Sequence, residues 1–160
     1  MTMTIWALLA ALGLVGIDQL SKYLVDRYLL YGDLYTLIPG FLNLKYIHND
    51  GAVFGILSGG RYFFVVIVTI IVLVFLFMMI MGKVKSKLAI WAMALIIAGG
   101  IGNLIDRIVH GYVIDFLLFD FPWFPFVFNF ADVCVVVGGV MLFVYLLVDI
   151  FRGHNQEIAS

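Results

Sequence analysis

The sequence has few charged side chains. Only 12% of its 160 residues are Asp, Glu, Lys or Arg, whereas 65% are hydrophobic. Soluble domains carry about 25% charged residues, so the composition excludes an ordinary water-soluble domain and predicts a protein embedded in lipid. The length favours a single integral membrane domain, residues 1–160, with no appended soluble module.

Cysteine and excess basic charge are also scarce. Cys134 is the single cysteine, so it cannot form an internal disulfide or a thiolate metal site, and we interpret it as a small apolar filler. The net charge of −1 gives no electrostatic case for nucleic acid as a partner. No cofactor or metal is predicted, because H-E-x-x-H is missing and His48, His110 and His154 lack ligand spacing.

Several hydrolytic motifs are missing as well. G-x-S-x-G does not occur, and neither does the D-T-G or D-S-G of soluble aspartic proteases. Ser21 and Lys22 are sequence neighbours, so on a helix they point about 100° apart and make a poor Ser–Lys dyad. Among hydrolytic chemistries, a membrane-embedded enzyme that uses aspartates remains.

Four long apolar runs are present instead. A membrane helix needs roughly 20 mostly apolar residues, because about 30 Å of hydrocarbon is crossed at about 1.5 Å per residue. The N-terminal run lacks a basic n-region and a clear A-x-A site, so we interpret it as a membrane helix and not as a signal peptide. The sequence therefore predicts an all-α membrane protein, a bundle of four helices at about 5–24, 62–81, 88–105 and 130–150.

Charge in the connecting loops predicts the orientation. The loop 82–87, "GKVKSK", has three lysines and no acid, which is typical of a cytoplasmic loop. Both termini are then cytoplasmic, and Arg152 after the fourth helix agrees. A plain count of basic residues does not decide the orientation, because several fall on the outer side: Lys22, Arg27, Lys45, Arg61 and Arg107.

The two outer segments are long. Within residues 25–61, two β-prone runs flank Pro39-Gly40, which predicts a β-hairpin over about 34–47. Residues 108–129 are rich in aromatic side chains, as expected of a stretch that lies at the level of the lipid headgroups.

Polar residues converge at the outer ends of the predicted helices. Asp18 lies in the outer third of the first helix, and Lys22 follows one turn later on the same face. Further polar residues lie at the end of the third helix, at the start of the fourth and in the segment between them. They are Asn103, Asp106, Arg107, Asp115, Asn129 and Asp132. Because polar groups in a membrane span usually face a functional cavity or the bundle interior, we expect one outward-facing polar site.

Asp115 and Asp132 are the best candidates for a catalytic pair. Each lies in an apolar frame, "VIDF" and "FADV", which favours the protonated form of a carboxyl group. Two adjacent carboxylates share one proton, so one can take a proton from water while the other donates to the carbonyl oxygen of an amide.

Four segments, in order along nearly the whole chain, resemble one family. They are "DQLSK" (18–22), "NDGAVFGIL" (49–57), "GGIGNLIDRIVHGYVIDF" (99–116) and "FNFADVCV" (128–135). The chain resembles the bacterial lipoprotein signal peptidase, or signal peptidase II, family. The resemblance implies a four-helix membrane bundle with a small extracytoplasmic β-cradle and a short interfacial helix.

The resemblance also implies an activity and a site. The activity is removal of the signal peptide from a prolipoprotein, just before a cysteine that bears diacylglycerol, in the bacterial cytoplasmic membrane and near its outer face. Asp115 and Asp132 match the catalytic dyad. Matching positions that bind substrate or shape the site are Asp18, Lys22, Asn49, Gly51, Asn103, Arg107, Asn129 and Ala131. The departures are Val53, Gly55 and the extra charge of Asp50, which affect residues 49–55 and leave the dyad intact.

The implied partners are lipid-modified prolipoproteins and membrane lipids, and a monomer supplies every group named. Simpler roles stand beside the catalytic ones. Asp132 would cap a helix N-terminus, Asp115 alone would be a solvent-exposed loop or strand residue, and Asp18 and Lys22 would form an ion pair along a helix face. Arg107 would pair with Asn103 or Asp106, or hold a substrate carbonyl or lipid phosphate.

Two other classes of function are open to such a sequence. A small proton-coupled transporter would use intramembrane aspartates, but it predicts polar groups through the whole membrane depth or inverted repeats with broken helices. A passive membrane scaffold would need no convergent carboxylates at all.

Overall fold

Four long helices form the body of the protein. The structure is a computed structural model that describes residues 2–51, 61–121 and 126–158, without the side chains of 152–158. The helices are α1 (Thr2–Tyr28), α2 (Arg61–Ile80), α3 (Lys87–Val109) and α4 (Phe130–Ile158). Each is long and apolar enough to cross a membrane, and the four helices coincide with the four predicted apolar runs. Helices α1, α3 and α4 extend past the predicted limits, because hydropathy marks the hydrocarbon depth while helical hydrogen bonding continues beyond it.

Helix α3 lies at the centre of the bundle. Its most apolar stretch is 56% buried, compared with 11% in α2 and in α4. Small residues let α4 approach α3 closely: a Cβ at Gly138 would lie 2.7 Å from the Ala92 carbonyl oxygen, and one at Gly99 would collide with that of Ala131. The close α3–α4 contact is therefore possible because these two glycines have no side chain.

A four-stranded antiparallel sheet lies beside the helices. Its strands are β1 (Leu34–Ile38), β2 (Leu42–Asn49), β3 (Val113–Phe119) and β4 (Val127–Phe128), in the order β1-β2-β3-β4. The predicted hairpin is confirmed as β1 and β2, with Gly40 in the left-handed region of the turn at φ +70°.

The sheet is larger than the sequence predicts. An all-α description is therefore incomplete, since β3 forms within the aromatic segment 108–129 and pairs with β2. The short interfacial helix stays a prediction: the described ranges contain only the four long helices, and residues 52–60 and 122–125 lie outside them. The departures Val53 and Gly55 also fall outside the described residues.

A tyrosine hydrogen bond fastens the sheet to the end of α1. Tyr46 of β2 is 4% exposed and donates a hydrogen bond to Asp26 of α1. Its hydroxyl oxygen lies 2.8 Å from His48 Nε2, and the His48 ring stacks on Tyr112 with centroids 3.8 Å apart. Since Asn49 directly follows His48, these contacts fix the strand end that enters the polar site.

Candidate active site

Asp132 lies in the first turn of α4 and caps that helix. Its backbone N–H donates to Asn129 Oδ1 at 2.8 Å, and its Oδ2 accepts from the Asn129 backbone N–H at 3.1 Å. This reciprocal pair is a capping box and confirms the predicted capping role. The second carboxylate oxygen, Oδ1, accepts from Asn103 Nδ2 at 2.7 Å, so one oxygen holds the helix and the other faces α3.

Asp115 lies in β3 and is only 1% exposed. Its Oδ2 accepts from Asn49 Nδ2 at 2.8 Å and its Oδ1 from Asn129 Nδ2 at 2.7 Å. The expectation that Asp115 alone would be solvent-exposed is wrong, because Asn49 and Asn129 lie against its carboxylate and β3 packs against α1 and α3.

Asn129 joins the two carboxylates. Its side-chain N–H donates to Asp115 and its backbone N–H donates to Asp132, so both aspartates lie within hydrogen-bond reach of one residue. The side-chain nitrogen, Asn129 Nδ2, also donates to Asn103 Oδ1 at 3.0 Å. Two acids from separate stretches of chain thus lie near each other where α3 ends and α4 begins. We call this end of the bundle, with Asn103, Asp115, Asn129 and Asp132, the polar end.

Burial changes the proton affinity of Asp115. Its pKa is raised to about 7, chiefly because its carboxylate is desolvated and in addition because Asp132 is nearby. Hydrogen bonds from Asn49 and Asn129 and the positive charge of Lys22 oppose this rise. Near neutral pH, Asp115 is therefore populated in both its protonated and its ionised form.

Lys22 is the buried cation of the polar end. Its ammonium nitrogen lies 2.9 Å from Asp18 Oδ2, 2.9 Å from Asp106 Oδ2 and 3.0 Å from Asn103 Oδ1. These three acceptors match the three N–H donors of lysine. The predicted ion pair of Asp18 and Lys22 is confirmed, and Asn103 connects this cation to the Asp132 carboxylate.

Asp18 also supports the start of α4. Its Oδ1 accepts from the Ala131 backbone N–H at 2.8 Å, so a carboxylate of α1 satisfies an amide in the first turn of α4. A Cβ at Gly102 would collide with Asp18 Oδ2, so the glycine makes room for this contact. Ala131 is 1% exposed and packs at the same junction.

Arg107 binds backbone and not a neighbouring carboxylate. Its guanidinium donates to the Asn103 carbonyl at 3.4 Å and to the Gly51 carbonyl at 3.3 Å, and it lies over the Phe64 ring. The predicted pairing with Asn103 is confirmed as a contact with the main chain. Gly51 in turn donates to Asn49 Oδ1 at 3.1 Å, which orders the turn after β2.

The structure adds Asp106 and Gln19 to the predicted site. Asp106 is 1% exposed and binds Lys22, the Ile114 backbone N–H and Gln19. Among the described residues, it forms no ion pair with Arg107. In the sequence, Asp106 counts among the converging polar residues and as one of two partners for Arg107, but it has no place among the predicted site residues. Gln19 carries no charge, so its contacts with Asp18 and Asp106 left no signal in the charge pattern.

The polar end surrounds carboxylates with amide and ammonium donors. Across the side chains of residues 2–51, 61–121 and 126–151, no group of three His, Cys, Asp or Glu residues is arranged to hold a metal ion. Two neighbouring acids whose carboxylate oxygens accept hydrogen bonds from different donors are suited to exchanging protons with a substrate and a water molecule.

Comparisons with known proteins agree with these features. The family model described as signal peptidase (SPase) II matches residues 10–148. The lipoprotein signal peptidase of Enterococcus faecalis is 42% identical over 150 residues, which are 92% of this chain and 90% of that protein. The lipoprotein signal peptidase of Symbiobacterium thermophilum is 40% identical over 144 residues, 88% of this chain and 93% of that protein.

A solved structure shares the fold as well. A bacterial membrane enzyme determined by the in meso method at 2.3 Å superimposes with a TM-score of 0.83 at 35% identity, over 89% of this chain and 88% of that one. The family model covers the residues of the polar end that contact Asp115 and Asp132, and these relatives cover most of the chain. The chain therefore belongs to the signal peptidase II family of peptidases.

Proposed function

We propose that this protein removes signal peptides from diacylglyceryl-modified bacterial prolipoproteins, cutting before the lipidated cysteine with Asp115 and Asp132 as the catalytic pair. The family membership supports the reaction. The observation that carries the catalytic assignment is that Asn129 binds both carboxylates at once. No cofactor enters this proposal.

The surroundings of the two acids give them different roles. Each carboxylate accepts two N–H donors, but only Asp132 lies at the positive end of the α4 dipole, which stabilises negative charge on it relative to Asp115. Asp115 holds a proton up to about pH 7. Asp132 is then the general base that takes a proton from water, and Asp115 is the acid that protonates the scissile carbonyl oxygen.

The proton balance of the reaction closes with these two groups. Water oxygen bonds to the carbonyl carbon while its proton passes to Asp132 and the Asp115 proton passes to the carbonyl oxygen. On collapse, the C–N bond breaks, the leaving amine takes the proton from Asp132, and a hydroxyl proton of the intermediate returns to Asp115. Both carboxyl groups then regain their starting protonation states.

The depth of the site suits a substrate that is itself anchored in lipid. The acids lie at the polar end of the bundle, so a signal helix and a lipid anchor beside the helices would hold the scissile bond near their level. We propose that this end faces outward, with both termini cytoplasmic. The remaining predicted residues, Asn49, Gly51, Asn103 and Arg107, line or order the approach to the acids. The chain acts in this proposal as one domain and as a monomer.

The decisive experiment removes each acid separately. Asp115→Asn and Asp132→Asn should lower the rate at which the purified protein converts a lipidated pro-form to its mature size by about 10²–10⁴-fold, the usual contribution of general acid–base catalysis. Asp120→Asn, at an exposed carboxylate just past β3, is the matched control and should process normally.

Helix content and gel-filtration behaviour of each variant should match the parent protein, so that a lost activity is separated from a lost fold. A variant without either carboxylate that still cleaves at the parent rate would remove the assignment.

The transporter alternative is not favoured. Buried charged side chains in the described ranges are Asp18, Lys22, Asp106 and Asp115, and all four lie at the polar end. At the other end of α3 the buried residues are apolar. A proton path through the membrane would need polar groups at that depth too.

A further inference from the structure

A cavity lies at the end of the bundle opposite Asp115 and Asp132. Its volume is about 730 Å³, and it is an open groove lined by the start of α1, the end of α2, the loop that follows α2 and the start of α3. The floor is formed by Met79 and Ile90, which are 2% and 6% exposed. Ile5, Leu8 and Ile80 form apolar walls.

The rim of this cavity is cationic. Lys85 in the loop and Lys87 at the first position of α3 both line it, and its lining contains no acidic residue. Within the described side chains, neither lysine forms an ion pair with a carboxylate. The N-terminal end of α3 adds the positive end of a 23-residue helix dipole at the same place.

The apolar floor lies directly below the cationic rim. Ile90 is three residues after Lys87, which corresponds to about 4.5 Å along a helix. A ligand for this site must therefore carry an anionic group and an apolar chain in immediate succession. The cavity is also of the size that holds one small ligand, roughly 300–1,000 Å³.

We propose that this cavity binds an anionic phospholipid, with its phosphate and headgroup at Lys85 and Lys87 and an acyl chain against Met79 and Ile90. Basic pockets between membrane helices suit anionic headgroups. A zwitterionic lipid is disfavoured because its own ammonium group would meet the same two lysines. This site is separate from the proposed catalytic site and does not depend on it.

The experiment compares two lipids that share their acyl chains and differ in headgroup, one anionic and one zwitterionic. Phosphatidylglycerol and phosphatidylcholine with identical acyl chains are titrated onto the full-length protein in detergent, and bound lipid is counted by native mass spectrometry. The parent protein should prefer phosphatidylglycerol by on the order of tenfold, given the attraction that each lysine near a headgroup contributes. Glycerol phosphate, which has the anion without the chains, should not compete.

Three variants separate a built site from diffuse attraction. Lys85→Gln with Lys87→Gln should reduce the preference to near unity, whereas Lys83→Gln should keep it, because Lys83 lies in the same loop but does not line the cavity. Thr4→Trp should fill the groove and lower the binding of both lipids without changing charge.

Either of two results would overturn the proposal. One is an unchanged preference in the double variant. The other is an equal loss in Lys83→Gln, which would mean that the loop attracts anionic lipid only through its overall charge.

Discussion

Lys22 shows how a charge is kept stable away from water in this protein. The side chain is 2% exposed, and each N–H of its ammonium group has an acceptor within 3.0 Å. Two of these acceptors are the carboxylates of Asp18 and Asp106, which are themselves buried. The three charges therefore stabilise one another, and the loss of any one leaves the others without compensation.

Lys22→Met should be strongly destabilising. Two buried carboxylates would lose their cation, a change that costs about 3–5 kcal/mol. The free energy of unfolding in mixed detergent, followed by circular dichroism, measures the loss. Lys83→Met, at an exposed lysine, is the control and should change little. Adding Asp106→Asn to Lys22→Met should recover part of the loss; equal stability of Lys22→Met and the parent would contradict this account.

The raised pKa of Asp115 predicts a pH dependence of stability. The folded protein keeps this proton up to about pH 7, whereas an aspartate in the unfolded chain releases it near pH 3.9. The folded state thus binds more protons between these values, so the free energy of unfolding falls as pH rises from about 4 to about 7 and is level above that.

Asp115→Asn should remove this decline. Unfolding of the parent and the variant is followed at pH 4, 5.5, 7 and 8.5. The difference in free energy of unfolding between the variant and the parent should shift in favour of the variant as pH rises, by up to on the order of 4 kcal/mol. A constant difference across this range would show that Asp115 does not titrate as its burial requires.

Single residues differ in how far the sequence reveals their surroundings. The cap at Asp132 could be predicted because Asn129 and the following helix are local. The Asp18–Lys22 pair was predictable for the same reason, since i and i+4 share a helix face. The burial of Asp115, by contrast, depends on strands from distant parts of the chain. The ion pair of Asp106 with Lys22 depends on how α1 packs on α3.

At the scale of elements, the α3–α4 seam predicts a sharp contrast between glycines. Gly99→Ala should destabilise the protein by about 1–3 kcal/mol, because the added methyl group would meet the Ala131 carbonyl oxygen and overpack the seam. Gly13→Ala in α1 is the matched control, since a Cβ there meets nothing within 4 Å. It should be neutral or slightly stabilising.

Thermal unfolding in detergent compares the two variants, and processing assays add a second measurement. Because Ala131 precedes Asp132, a shift of the seam at Gly99 should also lower activity. Equal melting temperatures for the two variants would mean that α4 moves away at no cost.

Strand β3 marks the limit of pattern reading for an element. The hairpin β1–β2 was predictable from two β-prone runs around Pro39-Gly40. The run "VIDFLLF" of β3 does not alternate between polar and apolar residues, because its first four residues are all buried. A strand covered on both faces reads as a continuous apolar stretch, and beside membrane helices such a stretch is also typical of an interfacial segment.

At the scale of the whole molecule, the two ends of the bundle differ in chemistry. The polar end holds the buried acids, and the opposite end carries the lysines of the loop between α2 and α3. The four helices and the position of the polar site were predictable, because hydropathy and helix direction alone place residues 18, 103 and 132 at one level. The orientation was predicted from loop charge and remains a prediction.

Labelling of introduced cysteines tests that orientation. In a Cys134→Ser background, Asp50→Cys should react with a membrane-impermeant maleimide on intact cells. Lys85→Cys should react only after the membrane is opened, because lysine-rich short loops remain cytoplasmic. Both positions are exposed in the structure, so access to the reagent is set by the membrane alone. The reverse labelling pattern would invert the protein and place its acids on the cytoplasmic side.

The Asp18–Lys22 ion pair has a consequence for biosynthesis. Both residues belong to α1, whereas Asp106 and Asn103 are translated more than 80 residues later. When α1 first meets the bilayer, Lys22 and Asp18 therefore have only each other, and at i and i+4, 2.9 Å apart in the folded protein, they can neutralise one another. The nascent segment can thus wait in lipid as a neutral unit until the third helix arrives to complete its polar contacts.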